Sequence, residues 1–407
     1  MSKLEELITE YCPDGVEYKL VDELFDIKNG YTPLKSNSVF WENGSIPWFR
    51  MEDIRTNGRI LSDAIQYITP EAVKGNLLPA NSLIMSTTAT IGEHALITVD
   101  FLMNQQITAF SLKEKFVNDA EMKFLFYCFF DFGKWCIDNA NKSGGMYIIG
   151  IQKLKQYLIP LPHPEIQREI VRILDNFAEL TAELTAELTA RKKQYEYYLE
   201  KMIYNPAWTV GTILDMLEQP ITDGPHETPT FVEKGVPFIS VESICDSKID
   251  LNKKRGFITK EYDDVCARKY KPKRNDVYMV KSGSTTGKVA IVDFDEDFNI
   301  WSPIAAMRTN GDNHPRFLYH LLKSKAIQTQ VLKKASHGSQ PNLGMRELEK
   351  FIVHIPSLFE QQRIVGILDR FDALCNDLTM GLSAEIEARQ KQYEYYRDKL
   401  LSFKEKK

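Results

Sequence analysis

The 407-residue sequence lacks the features that would place it among metal-binding, secreted or membrane proteins. Its six cysteines form no Cys-x-x-Cys pair and show no ligand spacing to the histidines, which argues against a zinc site and for a reducing compartment. No run approaches 18 apolar residues, so we expect no membrane-spanning helix and no membrane partner. The segment Met1–Glu6 is charged and carries no signal-peptide apolar run, which predicts a cytoplasmic protein.

An excess of positive charge, the usual mark of a nucleic-acid partner, is also absent. The formal net charge is −5, from 51 basic and 56 acidic side chains. The charge is uneven, however, because residues 248–288 hold twelve Lys or Arg against five Asp or Glu. Such a segment can meet phosphates, and it can equally be a solvated surface. Charge alone leaves both interpretations open.

No catalytic motif is intact. Residues 283–288 resemble a phosphate-binding loop, but three residues separate the glycines instead of four, and Val289 stands where a magnesium ligand is needed. The segment Asn205–Trp208 only partly matches an adenine methyltransferase motif, since its second proline is missing. The pairing of His226 with Asp223 is explained equally well by a turn. We therefore expect no chemistry performed by this chain itself, and no bound cofactor or metal.

An internal duplication dominates what is present. Three pairs of matching segments occur in the same order, the first two at an offset of 194 and the third at 198 residues: 154–162 with 348–356, 167–177 with 361–371, and 193–198 with 391–396. Two further pairs extend the repeat upstream: 46–54 with 236–244, and 90–97 with 285–292. The chain therefore predicts two copies of one plan, domain then helix.

Each copy ends in a long predicted helix. From Pro164 to about Ile203 there is no internal glycine or proline, and apolar residues recur every three or four positions. The second helix runs to about Phe403 and has Gly381 inside it. We expect the two helices to form an antiparallel coiled coil; pairing of each helix with another chain is the alternative. Tyr195, Tyr197 and Tyr198 are interpreted as helix packing rather than as a base-stacking platform.

A tandem four-residue repeat, Thr-Ala-Glu-Leu, lies inside the first helix at 181–188. Removing one unit turns the helical face by only about 40° and shortens the helix by about 6 Å, against 3.4 Å per base pair of duplex DNA. The second helix is four residues longer over the same interval. The first helix therefore has the character of an adjustable spacer.

The fold class predicted is α+β: two mixed α/β domains joined by two long helices that form an antiparallel coiled coil, with pseudo-two-fold internal symmetry. The predicted boundaries are 1–160 and 205–357 for the domains, and 161–204 and 358–407 for the helical spacers. Short strands are expected at 82–85, 95–99, 276–280 and 289–293, and one helix per domain at 119–139 and 315–335.

Polar loops occupy parallel places in both domains and carry side chains of the kind that read base edges. Any single loop is explained as well by turn chemistry, but their parallel placement favours a DNA-binding role. The candidates in the first domain are Lys28, Asn29, Tyr31, Arg50, Ser86, Thr87, Thr88, Asn104, Gln105, Lys142 and Ser143. Those in the second are Thr222, Asp223, His226, Lys281, Ser282, Ser284, Thr285, Lys288, Trp301, His337, Ser339 and Gln340.

With these motifs in hand, the chain resembles the specificity subunit of type I restriction-modification enzymes over essentially its full length. The resemblance is carried by Ile-Leu-Asp-x-Phe at 173–177 and 367–371, by Lys-Gln-Tyr-Glu-Tyr-Tyr at 193–198 and 391–396, and by the Thr-Ala-Glu-Leu tandem. Asp223-Gly-Pro-His226 also looks like the start of that family's recognition domains. The first domain departs there, since residues 28–33 lack the Asp and the His.

The resemblance implies a non-catalytic subunit whose two domains each read half of a split duplex-DNA target. The helices would set the distance between the half-sites and dock two methyltransferase subunits, which use S-adenosylmethionine to methylate adenine. Up to two restriction subunits, which translocate and cut DNA with ATP and Mg, would join them. The spacer and docking residues expected are Gln167, Leu174, Phe177, Leu184, Leu188, Gln361, Leu368, Phe371, Leu378 and Leu382.

Two alternatives stay open beside this interpretation. One is a coiled-coil scaffold whose domains bind proteins, and the other is an enzyme with its own site. A steep salt dependence of DNA binding would separate the first from a DNA-reading subunit, and turnover by the isolated chain would favour the second.

Overall fold

The computed structural model describes residues 3–141, 147–245, 248–336, 341–376 and 381–406. These residues form two compact units. The first unit comprises Met1–Ala182 with Ala388–Lys407, and the second comprises Glu183–Glu387. Each unit therefore contains one globular domain and parts of both long helices.

The first half of the chain contains α1 (Lys3–Tyr11), β1 (Glu17–Leu20), α2 (Val21–Leu24), β2 (Phe25–Asn29), β3 (Ile46–Phe49), α3 (Met51–Asn57), β4 (Ile60–Leu61), β5 (Tyr67–Ile68), β6 (Ser82–Ser86), β7 (His94–Ile97), β8 (Leu102–Met103), β9 (Ile107–Leu112), α4 (Met122–Asp138), α5 (Ile151–Leu154), β10 (Leu158–Leu161) and α6 (Pro164–Met202).

The second half contains β11 (Thr209–Thr212), β12 (Thr222–Asp223), β13 (Val236–Ile239), β14 (Ile244–Cys245), β15 (Lys248–Ile249), β16 (Gly256–Ile258), α7 (Lys260–Ala267), β17 (Val277–Val280), β18 (Val289–Ile291), β19 (Asn299–Ile300), β20 (Ile304–Met307), α8 (Pro315–Lys323), α9 (Lys325–Lys334), α10 (Met345–Glu349), β21 (Ile352–Ile355), α11 (Leu358–Asn376) and α12 (Leu382–Leu400).

The sheets of the two units follow the same plan. In the first unit the main sheet has the order β2-β9-β6-β7-β4, and in the second it has the order β12-β20-β17-β18. A three-stranded sheet accompanies each, β5-β3-β8 and β16-β13-β19, with one antiparallel and one parallel pair in both cases. An antiparallel pair, β1-β10 or β11-β21, completes each unit. The duplication seen in the sequence is therefore a duplication of topology.

Both faces of the main sheets are buried, which explains why their central strands read as continuous apolar runs. In β6, Leu83 and Met85 contribute to the core beneath α4, while Ile84 faces a second core shared with Phe49 and Phe101. In β17 the same alternation puts Val277 and Met279 on one face and Tyr278 and Val280 on the other. The four strands predicted from sequence are confirmed, with ends shifted by at most two residues.

The helix α6 is one unbroken element of 39 residues, about 58 Å long, as its lack of internal glycine and proline predicts. Pro164 occupies its first position, where the missing N–H is not needed. In the first unit, Ile170 and Leu174 of α6 share a core with Tyr393 and Leu400 of α12. In the second unit, the end of α6 shares a core with the start of α11. The two helical stretches therefore pair in antiparallel order.

Three helix predictions differ from the structure. The segment 315–335 is two helices rather than one, because Ser324 adopts an extended conformation and its hydroxyl accepts a hydrogen bond from the Ile327 N–H to cap α9. Gly381 lies in a bend just before α12 instead of inside a helix, consistent with its low helix propensity. The first domain helix begins at Met122, three residues later than predicted.

Within the part of the chain that the structure describes, no helix is both long enough and apolar enough to cross a membrane.

Candidate nucleic-acid interface

The predicted DNA-binding residues that the structure describes in the first unit meet at one end of its main sheet. Strands β2 and β6 end there and β9 begins there, since Asn29 lies opposite Thr108 and Ser86 lies opposite Ile107. Backbone hydrogen bonds tie the loops together, from Gly30 N to Ile107 O at 3.0 Å and from Thr87 N to Gln106 O at 3.0 Å. We call this region, residues 28–32, 86–92 and 104–106, the first loop end.

Uncharged hydrogen bonds organise the first loop end. The Thr108 hydroxyl donates to Asn29 Oδ1 at 2.7 Å and lies 3.4 Å from the Thr87 hydroxyl. The Thr32 hydroxyl contacts Gln105 Oε1. Asn104 Oδ1 accepts from the Gln106 N–H at 3.1 Å, which holds the intervening turn. The network presents amide and hydroxyl groups, which can donate to and accept from base edges.

Several of these predicted residues are engaged inside the domain. The Tyr31 hydroxyl donates to Ala72 O at 3.1 Å and accepts from Lys74 N at 2.8 Å. Ser86 Oγ donates to Thr88 O at 2.8 Å, so it shapes the loop. The Thr88 hydroxyl is buried without a hydrogen-bond partner among the described residues. Lys28 is exposed.

Arg50 joins the first loop end from the neighbouring small sheet. It follows β3, whose last residue, Phe49, accepts a hydrogen bond from Asn104 N at 3.1 Å. Its side chain lines a cavity of about 290 Å³ together with Lys35, Trp41, Trp48 and Gln66. The structure therefore places Arg50 beside Asn104 and at the edge of a hollow that the sequence did not reveal.

The second unit builds a loop end in the same place. Asp223, at the end of β12, lies opposite Ala305, and Val280, at the end of β17, lies opposite Ile304. Lys281 N donates to Pro303 O at 2.8 Å, as Thr87 N does to Gln106 O in the first unit. We call residues 222–226, 281–288 and 301–303 the second loop end.

A buried carboxylate organises the second loop end. Asp223 is 1% exposed and forms ion pairs with Lys281 at 3.3 Å and with Lys269. His226 Nε2 lies 3.4 Å from the same carboxylate, and its side chain is 74% exposed. A buried carboxylate is costly unless cations compensate it, so Asp223 holds these basic groups in place rather than facing solvent itself.

Other predicted residues of the second unit surround this cluster. Trp301 stacks beneath Arg255, whose guanidinium carbon lies 4.2 Å from the ring centroid, and its indole N–H is buried without a partner among the described residues. Ser282 pairs through its backbone with Asn342. Ser284, Thr285 and Lys288 belong to a turn closed by the hydrogen bond from the Thr286 hydroxyl to Gly283 O at 2.7 Å. Thr222 lies on β12 opposite Ala306.

The strand registers make the two loop ends comparable position by position. Because Met85 and Met279 occupy equivalent places beside β9 and β20, Asn29 corresponds to Asp223 and Thr87 to Lys281. The same registers pair four further positions: Arg50 with Ser240, Glu93 with Lys288, His94 with Val289, and Asn104 with Trp301. The scaffold is thus shared, while the side chains at equivalent positions differ.

The sequence prediction missed Lys269, Arg255 and the lining of the cavity beside Arg50. Lys269 belongs to the basic segment 248–288, and that segment was the only available signal. Much of its charge is used internally: Lys260 and Lys271 pair with the buried Asp263, and Arg274 pairs with Asp295. Burial raises the pKa of Asp263, but hydrogen bonds from Lys260, Lys271 and Asn299 outweigh that effect, so the pKa is lowered.

A second repeated site lies where each domain meets its helix, and it is built on a buried glutamine. In the first unit, Gln167 Oε1 accepts from Glu121 N at 2.8 Å, and Nε2 donates to Asp119 O and Pro162 O, both at 2.7 Å. Both glutamines of the repeat are fully buried. The side-chain amide thus fixes the start of α6 to the start of the domain helix α4.

Gln361 repeats these contacts in the second unit. Its Oε1 accepts from His314 N at 2.8 Å, and its Nε2 donates to Asn313 Oδ1 at 2.9 Å and to Pro356 O at 3.0 Å. Four of the six hydrogen-bond partners at the two junctions are backbone atoms of equivalent residues. Gln167 and Gln361 therefore anchor equivalent junctions, one in each unit.

The aspartate of Ile-Leu-Asp-x-Phe adds charge to each junction. Asp175 accepts from Lys123 at 2.6 Å and from the Tyr127 hydroxyl at 2.7 Å, and burial and Asp175 together raise the pKa of Tyr127. Asp369 meets Arg316 at 2.6 Å and His320 Nε2 at 2.7 Å. Burial lowers the pKa of His320.

The phenylalanine of the same motif stacks on a tyrosine of Lys-Gln-Tyr-Glu-Tyr-Tyr. Phe177 stacks on Tyr396 at 5.5 Å in the first unit, and Phe371 stacks on Tyr198 at 5.3 Å in the second. Tyr195 packs in the core of the second unit and hydrogen-bonds to His320 Nδ1 at 2.9 Å. Helix packing, the favoured interpretation of these tyrosines, is confirmed for Tyr195 and Tyr198.

The remaining spacer residues are placed as follows. Leu174, Leu368 and Leu382 are buried, and Leu184 and Leu188 are half-buried. A docking role for any of the ten spacer residues stays a prediction. Six predicted site residues lie outside the described part of the chain: Lys142, Ser143, His337, Ser339, Gln340 and Leu378.

Two regions of the sequence, residues 13–191 and 208–388, match the family model described as type I restriction modification DNA specificity domain. The chain belongs to this family. It is similar to the EcoprrI specificity subunit of Escherichia coli, with 36% identity over 93% of both chains. It also resembles the EcoR124I/EcoR124II specificity subunit of the same species, with 35% identity over 62% of this chain and 65% of that protein.

Solved structures agree on the fold of this specificity subunit. The type I restriction-modification S subunit from M. genitalium aligns with a TM-score of 0.54 at 17% identity, covering 95% of this chain and 96% of the other. A chain from a study of type I complex assembly and conformational transition aligns with a TM-score of 0.60 at 17% identity, covering 95% and 97%. Specificity subunits are the DNA-recognition components of type I restriction-modification systems, and this chain is one of them.

Proposed function

We propose that each unit of this specificity subunit reads one half of a bipartite duplex-DNA target through its loop end. The long helices set the separation of the two half-sites and dock two methyltransferase subunits. The chain performs no chemistry; S-adenosylmethionine, ATP and Mg act in the methyltransferase and restriction subunits. Up to two restriction subunits complete the assembly.

One observation carries the proposal. Each loop end occupies the equivalent end of the main sheet of its own unit. The two nevertheless differ at equivalent positions, such as Asn29 against Asp223 and Thr87 against Lys281. A fixed scaffold with variable polar loops is suited to reading two different base sequences with one docking geometry.

The repeated junctions support the spacer role. The same buried glutamine and the same motif aspartate fix each domain to its helix, through Gln167 and Asp175 in one unit and through Gln361 and Asp369 in the other. Loop ends mounted on such rigid junctions hold their positions along the helices, which favours a defined distance between half-sites.

A base-resolved map of adenine methylation tests the proposal. Cells with and without this gene, both carrying the partner subunits, should differ by one bipartite motif of two short sequences with a fixed gap. The same cells expressing a loop-exchange variant, with residues 222–226 replaced by residues 28–32, should keep one half-site and lose the other. Methylation that is unchanged by deletion of the gene would refute the proposal.

The spacer role has its own test in the tandem repeat. Deleting Thr181–Leu184 shortens α6 by about 6 Å and turns its face by only about 40°. The methylated motif should then retain both half-sites with a shorter gap. A variant with Glu183→Gln, which keeps the length, should leave the gap unchanged, and altered half-site sequences in the deletion would contradict the spacer role.

A further inference from the structure

The cavity beside Arg50 has a composition suited to a flat, polar-edged ligand. Trp41 and Trp48 meet edge to face with centroids 5.1 Å apart, and their indole N–H groups are already satisfied by Leu34 O at 3.2 Å and Tyr31 O at 3.0 Å. Their contribution to the cavity is therefore apolar ring surface. Aromatic surface of this kind is what proteins use to stack unpaired nucleobases.

An unsatisfied donor completes the cavity. Arg50 Nε is buried and has no hydrogen-bond partner among the described residues, although the same guanidinium contacts Glu52 at 2.9 Å. A buried unpaired N–H is costly, so the described neighbours leave the Arg50 guanidinium partly unsatisfied, and its exposed edge, with the side chain 30% exposed, is the part that can donate into the cavity. Because Glu52 already offsets the charge of the guanidinium, a neutral acceptor such as a base edge fits better than a second anion.

The size and position of the cavity restrict the class of ligand further. The cavity of about 290 Å³ lies at the small end of ligand sites, with room for one ring system. It adjoins the first loop end, since Phe49 accepts from Asn104 N and Trp48 donates to the backbone of Tyr31. Lys35, also in the lining, is exposed and able to meet a backbone phosphate.

We propose that this cavity binds one unstacked nucleobase of the half-site read by the first unit, with Trp41 as the stacking wall and Arg50 as the donor to its acceptor edge. The inference rests on the proposed function. Unstacking a base carries a free-energy cost, which the aromatic contact and a hydrogen bond from the Arg50 guanidinium offset. The second unit has Phe238 and Ser240 at the positions of Trp48 and Arg50, so the site is specific to the first unit.

The test combines base removal with side-chain removal. The chain assembled with its methyltransferase subunits is titrated with duplexes carrying its methylated motif, each with a single abasic residue at one position of either half-site. Loss of the unstacked base, at one position in one half-site, should weaken binding by about ten- to a hundredfold. Arg50→Met should weaken binding to the intact duplex by a similar factor, yet lose nothing more when that base is absent.

Two further variants keep the outcome decisive. Trp41→Leu should also weaken binding to the intact duplex, and this effect should disappear when the base at the same position as for Arg50→Met is absent. Lys115→Gln removes an exposed cation beyond the far end of β9 and should respond to abasic residues as the unaltered protein does. The inference would be overturned if the effects of the side-chain variant and of the abasic residue on binding multiplied at every position. It would also be overturned if the two effects were coupled in both half-sites. Absence of any bipartite methylation would instead show that the proposed function is wrong.

Discussion

The two loop ends share one scaffold and differ in their electrostatics. In the first unit the position at the end of β2 is Asn29, joined to Thr108 by a hydrogen bond between neutral groups. In the second unit the equivalent position is Asp223, a buried carboxylate paired with Lys281 and Lys269. The same backbone register therefore supports either a neutral or an ionic network.

The difference shows where such a domain can vary. The junction residues Gln167 and Gln361 make matching contacts in both units, whereas the loop ends hold different polar groups at matching positions. Under the proposed function, keeping the junction while varying the loops retains the reading geometry and changes only the bases that are read. The following experiments test whether the two units differ at the loop ends and agree at the junctions.

The largest effect is expected from breaking the ionic network of the second unit. Asp223→Ala leaves Lys281, which is 11% exposed, beside an empty site, and removal of one partner of a buried pair costs about 3–5 kcal/mol. Urea denaturation of the full chain, followed by hydrogen exchange in each unit, should locate the loss in the second unit.

The matched control imports the first unit's residues. The double variant Asp223→Asn with Lys281→Thr removes both charges and should recover most of the stability, while the half-site read by the second unit changes. Equal destabilisation by the single and double variants would show that the network does not account for the loss.

Breaking the shared junction should affect both units alike. Gln167→Leu strands the three groups that the amide satisfies, and Gln361→Leu does the same in the second unit, at an expected cost of about 2–4 kcal/mol each. Denaturation of the two variants should give similar losses. Gln362→Leu, at an exposed glutamine next to Gln361, should stay within about 0.5 kcal/mol. A large loss in only one unit would contradict the equivalence of the junctions.

The two units should also differ in their response to acid. His94 lies among phenylalanine rings where the second unit has Val289, and burial lowers the pKa of His94 to about 3. The unfolded chain takes up a proton near pH 6.5, whereas the folded chain does not until about pH 3, so stability falls as the pH drops through this window. At pH 5 the loss is about 2 kcal/mol.

Denaturation of the full chain at pH 7 and pH 5 measures this term. His94→Val should reduce the difference between the two pH values, even though the smaller side chain lowers stability at pH 7. An unchanged pH difference in the variant would assign the acid sensitivity to other groups, such as the buried His320.

The smallest effect concerns one surface charge. Lys288 occupies the place of Glu93, so the second unit carries a cation at this position where the first unit carries an anion. If Lys288 meets a phosphate, Lys288→Gln should lower the slope of log K against log salt by about 1. Filter binding by the assembled methyltransferase across a salt series measures the slope. An unchanged slope would exclude a phosphate contact by Lys288.

Repeated and periodic features were predictable from sequence because they depend on local pattern. The unbroken helix from Pro164, the strands expected at 82–85 and 276–280, and the parallel placement of polar loops all follow from spacing and duplication. The break at Ser324 was missed because a serine can either continue a helix or cap the next one, and tertiary packing makes that choice.

The sequence by itself determined that the chain is a duplication, that two long helices carry two similar domains, and that polar loops occupy parallel positions. Which side chains those loops bring together depends on the tertiary structure. Asp223 and Lys269 are 46 residues apart, and Trp41 and Gln66, which lie outside the strands, line the same cavity. Contacts between distant residues depend on strand register and burial, and a local pattern carries neither.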